Sequence, residues 1–169
     1  YVQKIIHEVA VMKKILTDFL EFARPKNPQP EMCNIEKLID EVRLIFSQDI
    51  EQKGITLKTV ISEKHTFADP GHLRQILVNL IENAIQSLNG RGTITIATHP
   101  LTDNVEIVIE DNGPGIEESI KEKIFDPFFT TKERGSGLGL AIVKKLVEEN
   151  RGDIRIVGNE RQGTRCVLS

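Results

Sequence analysis

Two asparagines four residues apart, Asn79 and Asn83, interrupt an otherwise apolar stretch, RQILVNLIENAIQSL (residues 74–88), and Glu82 and Gln86 flank them. At that spacing both amides lie on one side of a helix. Amide oxygens are hard ligands that suit Mg2+, with phosphates and water completing its octahedron. The same amides would also serve to cap neighbouring backbone. A second segment, Asp111–Ile116 (DNGPGI), follows a strand-like run. Its two glycines and proline make a tight turn that brings backbone close to another group. Asp111, at the strand end, is placed to accept a hydrogen bond from an exocyclic amine, although an ordinary strand-to-helix turn has the same composition. In the third segment, FDPFFTTKERGSGLGLAI (125–142), Gly135, Gly137 and Gly139 precede an apolar helix. Free amides at a helix N-terminus attract anions, and Lys132 and Arg134 add charge suited to phosphate. A dinucleotide fold is excluded, because Leu140 stands where a third glycine is required and no strand leads in. The P-loop and protein-kinase motifs are also missing.

Elements that must position these residues are legible around them. Asn34 caps a helix whose face carries Leu38, Val42, Ile45, Phe46 and Ile50, and which Gly54 ends. Ile55–Ile61 alternates as a strand. Asp69-Pro70 opens the asparagine helix, with Leu73, Ile76, Leu77, Leu80, Ile81, Ala84 and Leu88 inward. Gly90-Arg91-Gly92 turns into a strand over Thr93–Thr98, and Asn104–Glu110 is the next. A short helix is expected over Glu117–Ile124, a polar loop over 125–136, and a helix over Leu138–Asn150. Asp153–Val157 and Thr164–Leu168 form a closing hairpin. This order predicts an α+β fold, a mixed and largely antiparallel sheet with helices on one face. Ahead of it, Val2, Ile5, Val9, Met12, Leu16, Phe19 and Ala23 form an a/d seam that calls for another helix; packing on its own domain is the alternative. Expected boundaries are a coiled-coil-like helix over 1–24, a proline-bearing linker over 25–32 and a globular domain over 33–169.

With 169 residues, 39% hydrophobic and 28% charged, the chain has the composition of a soluble globular protein. Its net charge of −3 makes no general case for nucleic acid. Cys33 and Cys166 lack metal spacing and suggest a reducing compartment. No apolar run approaches the roughly 18 residues of a membrane span. The chain opens mid-pattern and without methionine, as a piece of a longer protein would.

These segments, in this order, resemble the GHKL ATP-binding family, and within it the sensor histidine kinases. The resemblance runs from the heptad arm to the last hairpin: an N box at Leu77–Ala84, a G1 box at Asp111–Ile116, an F box at Phe125–Phe129 and a G2 box at Gly135–Leu140. It implies a two-layer α/β sandwich of Bergerat type, binding ATP or ADP with Mg2+. By resemblance, Asn83 coordinates Mg2+ with Asn79 beside it near the phosphates, and Asp111 receives the adenine amino group. Gly113, Gly115 and Ile116 shape the adenine pocket, and Thr164 reaches adenine through water. Residues 125–136, including Phe128, Thr130 and Thr131, form a lid that puts Lys132 near the γ-phosphate. Gly135, Ser136, Gly137, Leu138, Gly139 and Leu140 approach the triphosphate. The arm resembles the second helix of a dimerisation and phosphotransfer hairpin. The implied partners are a response regulator and the dimerisation helices of the same or another kinase subunit, with no nucleic acid and no membrane contact by this piece. The implied location is cytoplasmic, whether or not the parent is membrane-anchored.

Two departures from the family pattern matter. Topoisomerase and chaperone relatives carry a glutamate base at the position matching Asn79. An amide cannot take a proton at neutral pH, which favours phosphoryl transfer over hydrolysis. Gln86 replaces a basic residue common in histidine kinases, and Lys132 or Arg134 is the expected substitute at the phosphates. His7 is followed by Glu8, as in the family's phosphoacceptor motif, but the run then continues Val9-Ala10-Val11-Met12 in place of a basic or polar pair and a proline, so the acceptor is expected upstream of Tyr1. His72, on the asparagine helix, is a candidate to assist, while His65 and His99 have no base paired in sequence. The expectation is a histidine-kinase catalytic domain that does not phosphorylate itself without its acceptor helix. A GHKL-type ATPase and a serine-directed kinase of the same superfamily are the alternatives.

Overall fold

A computed structural model describes residues 1–23, 27–102, 104–132, 135–158 and 163–169. Within the first helix, the side chains of Gln3, Lys4, His7, Ala10, Lys14 and Glu21 lie outside the described set, as do Glu133 and Arg134 entirely. Helix α1 (Val2–Ala23) precedes β1 (Glu31–Asn34), α2 (Ile35–Ile45), α3 (Ser47–Lys53), β2 (Thr56–Ile61), β3 (His65–Ala68) and α4 (Pro70–Ser87). There follow β4 (Thr93–Pro100), β5 (Val105–Asp111), α5 (Gly139–Glu149), β6 (Ile154–Gly158) and β7 (Thr164–Leu168). No helix among the described residues is long and apolar enough to cross a membrane.

Strands β2-β4-β5-β7-β6 form one sheet in that order. The β2–β4 pair is parallel and every other pair in the sheet is antiparallel. Alternation sets one face of the sheet against the helices. Ile94 and Ile96 on β4 are fully buried with Ile35, Ile39 and Val42 of α2, Leu77 and Ile81 of α4, and Val143 of α5. This is the expected mixed α+β sandwich. Asn34 caps α2 through Lys37, and Gly54 closes α3 in the left-handed region at φ 64°, as predicted.

The structure differs from the sequence reading at three places. The helix expected up to Gly54 breaks at Phe46 (φ −97°, ψ 8°) into α2 and α3. The break buries the Phe46 ring and turns Ile45 outward, 49% exposed. The helix expected over Glu117–Ile124 is a single 3-10 turn at Glu118–Ile120, followed by further turns. Ile124 is the one hydrophobic residue there in the core, too little to hold a helix by packing. A small antiparallel sheet, β1 with β3, was not foreseen. It pairs Met32 with Phe67 and begins at Glu31, inside the stretch read as linker.

Asp69 ties this small sheet and α4 to the rest. Its carboxylate accepts from the amides of His72 (2.9 Å) and Gln29 (2.7 Å), while its own amide donates to Asn150 Oδ1 (2.8 Å). Burial pushes its pKa up, but the Gln29 and His72 amides outweigh that and hold it below the ordinary value. A carboxyl so depressed contributes stability above its ordinary range and loses it as pH falls through the folded pKa. Asp69→Asn is therefore expected to cost about 1 kcal/mol at neutral pH, the usual worth of a cap. In urea unfolding, the gap between the two proteins should narrow as the pH falls below the ordinary carboxyl range and through the lowered pKa of Asp69.

Candidate functional site

Helix α4 lays out the site along its length. Asn79, Asn83, Gln86 and Ser87 lie within nine residues, eight steps of about 1.5 Å or roughly 12 Å. At Asn79, midway along α4, the helix meets the start of α5. A Cβ added at Gly139 would stand 3.6 Å from Asn79 Oδ1 and 4.0 Å from Asn83 Nδ2. Leu138, the N-cap of α5, offers no side-chain cap to the first-turn amides, and the helix starts beside the two asparagines. Asn79 is buried, and its Nδ2 has no hydrogen-bond partner among the described residues. An unpaired buried donor costs roughly 1–3 kcal/mol. A phosphate oxygen is the partner whose chemistry fits, beside a helix N-terminus that favours the same charge.

The loop before α5 is braced by contacts that only glycine permits. Gly137 has φ +66°, and a Cβ there would meet the Phe128 carbonyl carbon at 2.4 Å. Phe128 itself has φ 68°, exposes its ring, and donates its amide to the Gly137 carbonyl (3.0 Å). Thr130 Oγ1 accepts from the Lys132 amide (3.1 Å) and sits where a Cβ on Gly135 would lie, at 2.6 Å. Thr131 is exposed. From this loop Lys132 reaches back to α4. Its Nζ donates to Asn83 Oδ1 at 3.0 Å and Gln86 Oε1 at 2.6 Å.

At the other end of α4, Asp111 closes β5 and is 5% exposed. Its Oδ1 accepts the Gly113 amide (2.8 Å), and Ser87 Oγ lies 2.8 Å from where a Gly113 Cβ would be. Gly163, just before β7, packs on the same strand end. Gly163, at φ +125°, would place a Cβ 2.1 Å from the Asp111 carbonyl oxygen, and Gly115 (φ +82°) faces Gly163 in turn. Glu110 pairs with Arg165, so the next step of the register sets Thr164 beside Asp111. Ile116 is half-buried at the edge of this group. Cys166 lies on β7 one residue beyond Arg165. Burial first, and the Asp111 carboxylate second, push its thiol up to about 12.

The structure thus brings Asn79, Asn83, Gln86, Lys132 and Gly139 together along the second half of α4, and Asp111, Gly113, Gly115 and Thr164 beyond its C-terminal end, while the N-terminal end of α4 carries none of them. Leu138 is fully buried as an anchor, and its amide donates to Ser136 Oγ (3.3 Å). Ser136 Oγ in turn donates to Asp18 Oδ2 of α1 (2.9 Å). Leu140 is half-buried on the first turn of α5. His72 does not join the site. It sits at the N-terminal end of α4, where its Nδ1 lies 3.1 Å from Asn150 Nδ2 and 3.7 Å from Glu149 Oε2. Seven residues of helix separate it from Asn79, about 10 Å, so its part is to join α4 to the end of α5. His65 and His99 are exposed on β3 and β4. The His7 side chain and Arg134 fall outside the described residues. Sequence reasoning missed Ser87 and Gly163. Ser87 lies four residues after Asn83 and so on the same helix face, a signal that was available. Nothing local marks Gly163 as a neighbour of Asp111. A cleft at the far end of α4, walled by Phe67, Leu73, Ile76 and Val147, holds none of these groups.

The family model of histidine kinase-, DNA gyrase B- and HSP90-like ATPases matches residues 68–169, the stretch that contains every one of these groups. The chain belongs to that family. It is 35% identical over 171 residues to the signal transduction histidine-protein kinase AtoS of Escherichia coli (strain K12), covering 99% of this chain and 28% of AtoS. The catalytic domain of histidine kinase ThkA matches with a TM-score of 0.77 and 34% identity, covering 83% of this chain and 93% of that one. ThkA in complex with the response regulator protein TrrA matches with a TM-score of 0.84 and 30% identity, over 99% of this chain and 49% of that one. ATP is accordingly the ligand of the family site.

The glycine geometry generates a paired expectation for the histidine kinase-like ATPase domain. Gly163→Ala, clashing with the Asp111 backbone, should cost about 3 kcal/mol or more. Gly90→Ala, at φ +118° but with nothing within 4 Å, should cost only the backbone strain of about 1–2 kcal/mol. Thermal unfolding of the two variants checks the order.

Proposed function

We propose that this chain is the ATP-binding catalytic part of a two-component sensor histidine kinase. In this reading it transfers the γ-phosphoryl group of Mg-ATP to a histidine on a dimerisation helix, for onward passage to a response-regulator aspartate. The observation that carries the proposal is the packing of Gly139, at the α5 N-terminus, against Asn79 and Asn83 in the middle of α4, with Asp111 beyond the C-terminal end of the same helix. Such an arrangement separates a phosphate end from a base end by about the length of a nucleotide. Asn83 Oδ1 and Asn79 supply the oxygen chemistry that Mg2+ takes, and the ion when bound would neutralise charge on the phosphates. Lys132, Gly137, Gly139 and Leu140 would hold the triphosphate, with Gln86, Phe128, Thr130, Thr131, Gly135, Ser136 and Leu138 shaping the loop around it. Asp111 would accept the adenine amino group, with Gly113, Gly115, Ile116 and Thr164 lining the ring.

Asn79 favours transfer over hydrolysis, because a buried amide cannot draw a proton from water. The terminal phosphoryl group then leaves for an imidazole nitrogen, and ADP departs. The partner helices are supported by α1, whose Val2, Ile5, Val9, Met12, Leu16 and Phe19 are all at least 46% exposed and await a helical counterpart. Residues 1–24 would be that arm, 25–32 its junction and 33–169 the catalytic domain, in a cytoplasmic setting. ThkA bound to TrrA supports a response regulator as the downstream partner.

Calorimetry with a non-hydrolysable ATP analogue separates the two ends of the site. Asn83→Ala should lose about tenfold in affinity with Mg2+ present and little without it. Asp111→Asn should lose about tenfold under both conditions, one charge-assisted hydrogen bond being worth roughly that much. A supplied dimerisation domain should acquire acid-labile phosphate. Rapid phosphate release to water, or label on serine, would replace this reading with an ATPase or a serine-directed kinase.

A further inference from the structure

Lys132 adopts a position that its expected role at the γ-phosphate does not explain. Its ammonium bridges two amide oxygens on α4: Asn83 Oδ1 at 3.0 Å and Gln86 Oε1 at 2.6 Å. The Gln86 amide is oriented from behind, since its Nε2 donates to Glu82 Oε1 (3.1 Å). That bond leaves Oε1 turned to the lysine. The base of the Lys132 loop is set independently by Thr130 Oγ1 on the Lys132 amide and by the Gly135 amide on the Lys132 carbonyl (3.4 Å). A chain of partners therefore runs from Glu82 through Gln86 and Lys132 to Asn83.

Asn83 Oδ1 is the oxygen assigned above to Mg2+. An ammonium and a metal ion are both cations that seek carbonyl oxygens. They cannot share this oxygen without direct charge repulsion at close range. We propose that Lys132 is a placeholder for the metal: without nucleotide it occupies the metal-ligand oxygen of Asn83, held there by Gln86, and latches the Phe128–Lys132 segment to α4. Binding of Mg-nucleotide takes Asn83 from Lys132, frees the loop from α4 and releases the ammonium to the phosphates. Gln86 is then a positioning residue of the nucleotide-free state. The latch also imposes a cost on binding, because a ligand meets only the fraction of molecules in which the latch is open.

This inference rests on the nucleotide reading above, and one variant tests it apart from that reading. Gln86→Leu removes the partner that holds the resting lysine and leaves Lys132 in place for phosphate. Hydrogen exchange of amides 129–132 in the nucleotide-free protein should become about fivefold faster, the scale of one lost hydrogen bond to a charged group at the surface. Calorimetry should show Mg-AMPPNP binding about fivefold tighter, the closed fraction having fallen. Gln86→Lys, which sets a like charge against the ammonium, should speed exchange in the same way and shows that the effect is not particular to leucine. Unchanged exchange in both variants overturns the latch. Weaker binding of Mg-AMPPNP by Gln86→Leu also overturns it, since Gln86 would then be a phosphate contact. Failure of the wild-type protein to bind Mg-AMPPNP at all overturns the nucleotide reading instead, and the exchange measurement still decides whether Gln86 holds the loop.

Discussion

Everything in the site depends on the closeness of two helices, α4 and α5. The α5 N-terminus lies beside the asparagine face of α4, and a Cβ at residue 139 would stand in ordinary contact with Asn79 Oδ1, at 3.6 Å. The apolar faces behind it set the approach, with Leu77 and Ile81 of α4 and Val143 of α5 fully buried together. Burial of those side chains, each worth about 1.5–3 kcal/mol, offsets the cost of leaving the Asn79 donor unpaired and an uncapped helix end. Stability in the core thus sustains a local arrangement that is poor by itself, a common relation between a scaffold and its binding site.

Glycine governs the second end in another way. Gly163 and Gly115, both at positive φ, let Gly163 lie directly on the backbone of Asp111. The carboxylate thus sits at the end of the central strand and out of open solvent, with the Gly113 amide donating to it and Ser87 near Gly113. The high pKa of the neighbouring Cys166 thiol reflects the same buried setting and the charge of that carboxylate. A charge kept in so dry a place attracts a hydrogen-bond donor more strongly than one in water.

The first helix is linked to this machinery by polar contacts. Asp18 accepts from Ser136, whose hydroxyl also accepts the amide of Leu138 at the start of α5. Lys145 on α5 donates to the Phe22 carbonyl at the end of α1 (2.6 Å) and stands over the Phe22 ring. A rotation or shift of α1 would therefore act directly on the loop that precedes the α5 N-terminus. The apolar seam of α1 is separate from these contacts, since Met12, Leu16 and Phe19 stay largely exposed.

Local chemistry was legible in the sequence wherever one segment carries its own reason. Asn34 and Asp69 as caps, Gly54 as a helix end, the spacing of Asn79 and Asn83, and the glycine run before α5 all follow from short-range rules. The mixed α+β fold followed from their order. Tertiary structure alone decided what lies between distant segments. The pairing of β1 with β3 joins residues more than thirty apart through strands of four residues, too short to show a pattern. The break at Phe46 depends on which side chain the core admits, and the site of His72 on where the end of α5 falls. The reach of Lys132 to Asn83 and Gln86 crosses more than forty residues. Sequence periodicity reports one element at a time, whereas a contact across elements depends on how their buried faces fit.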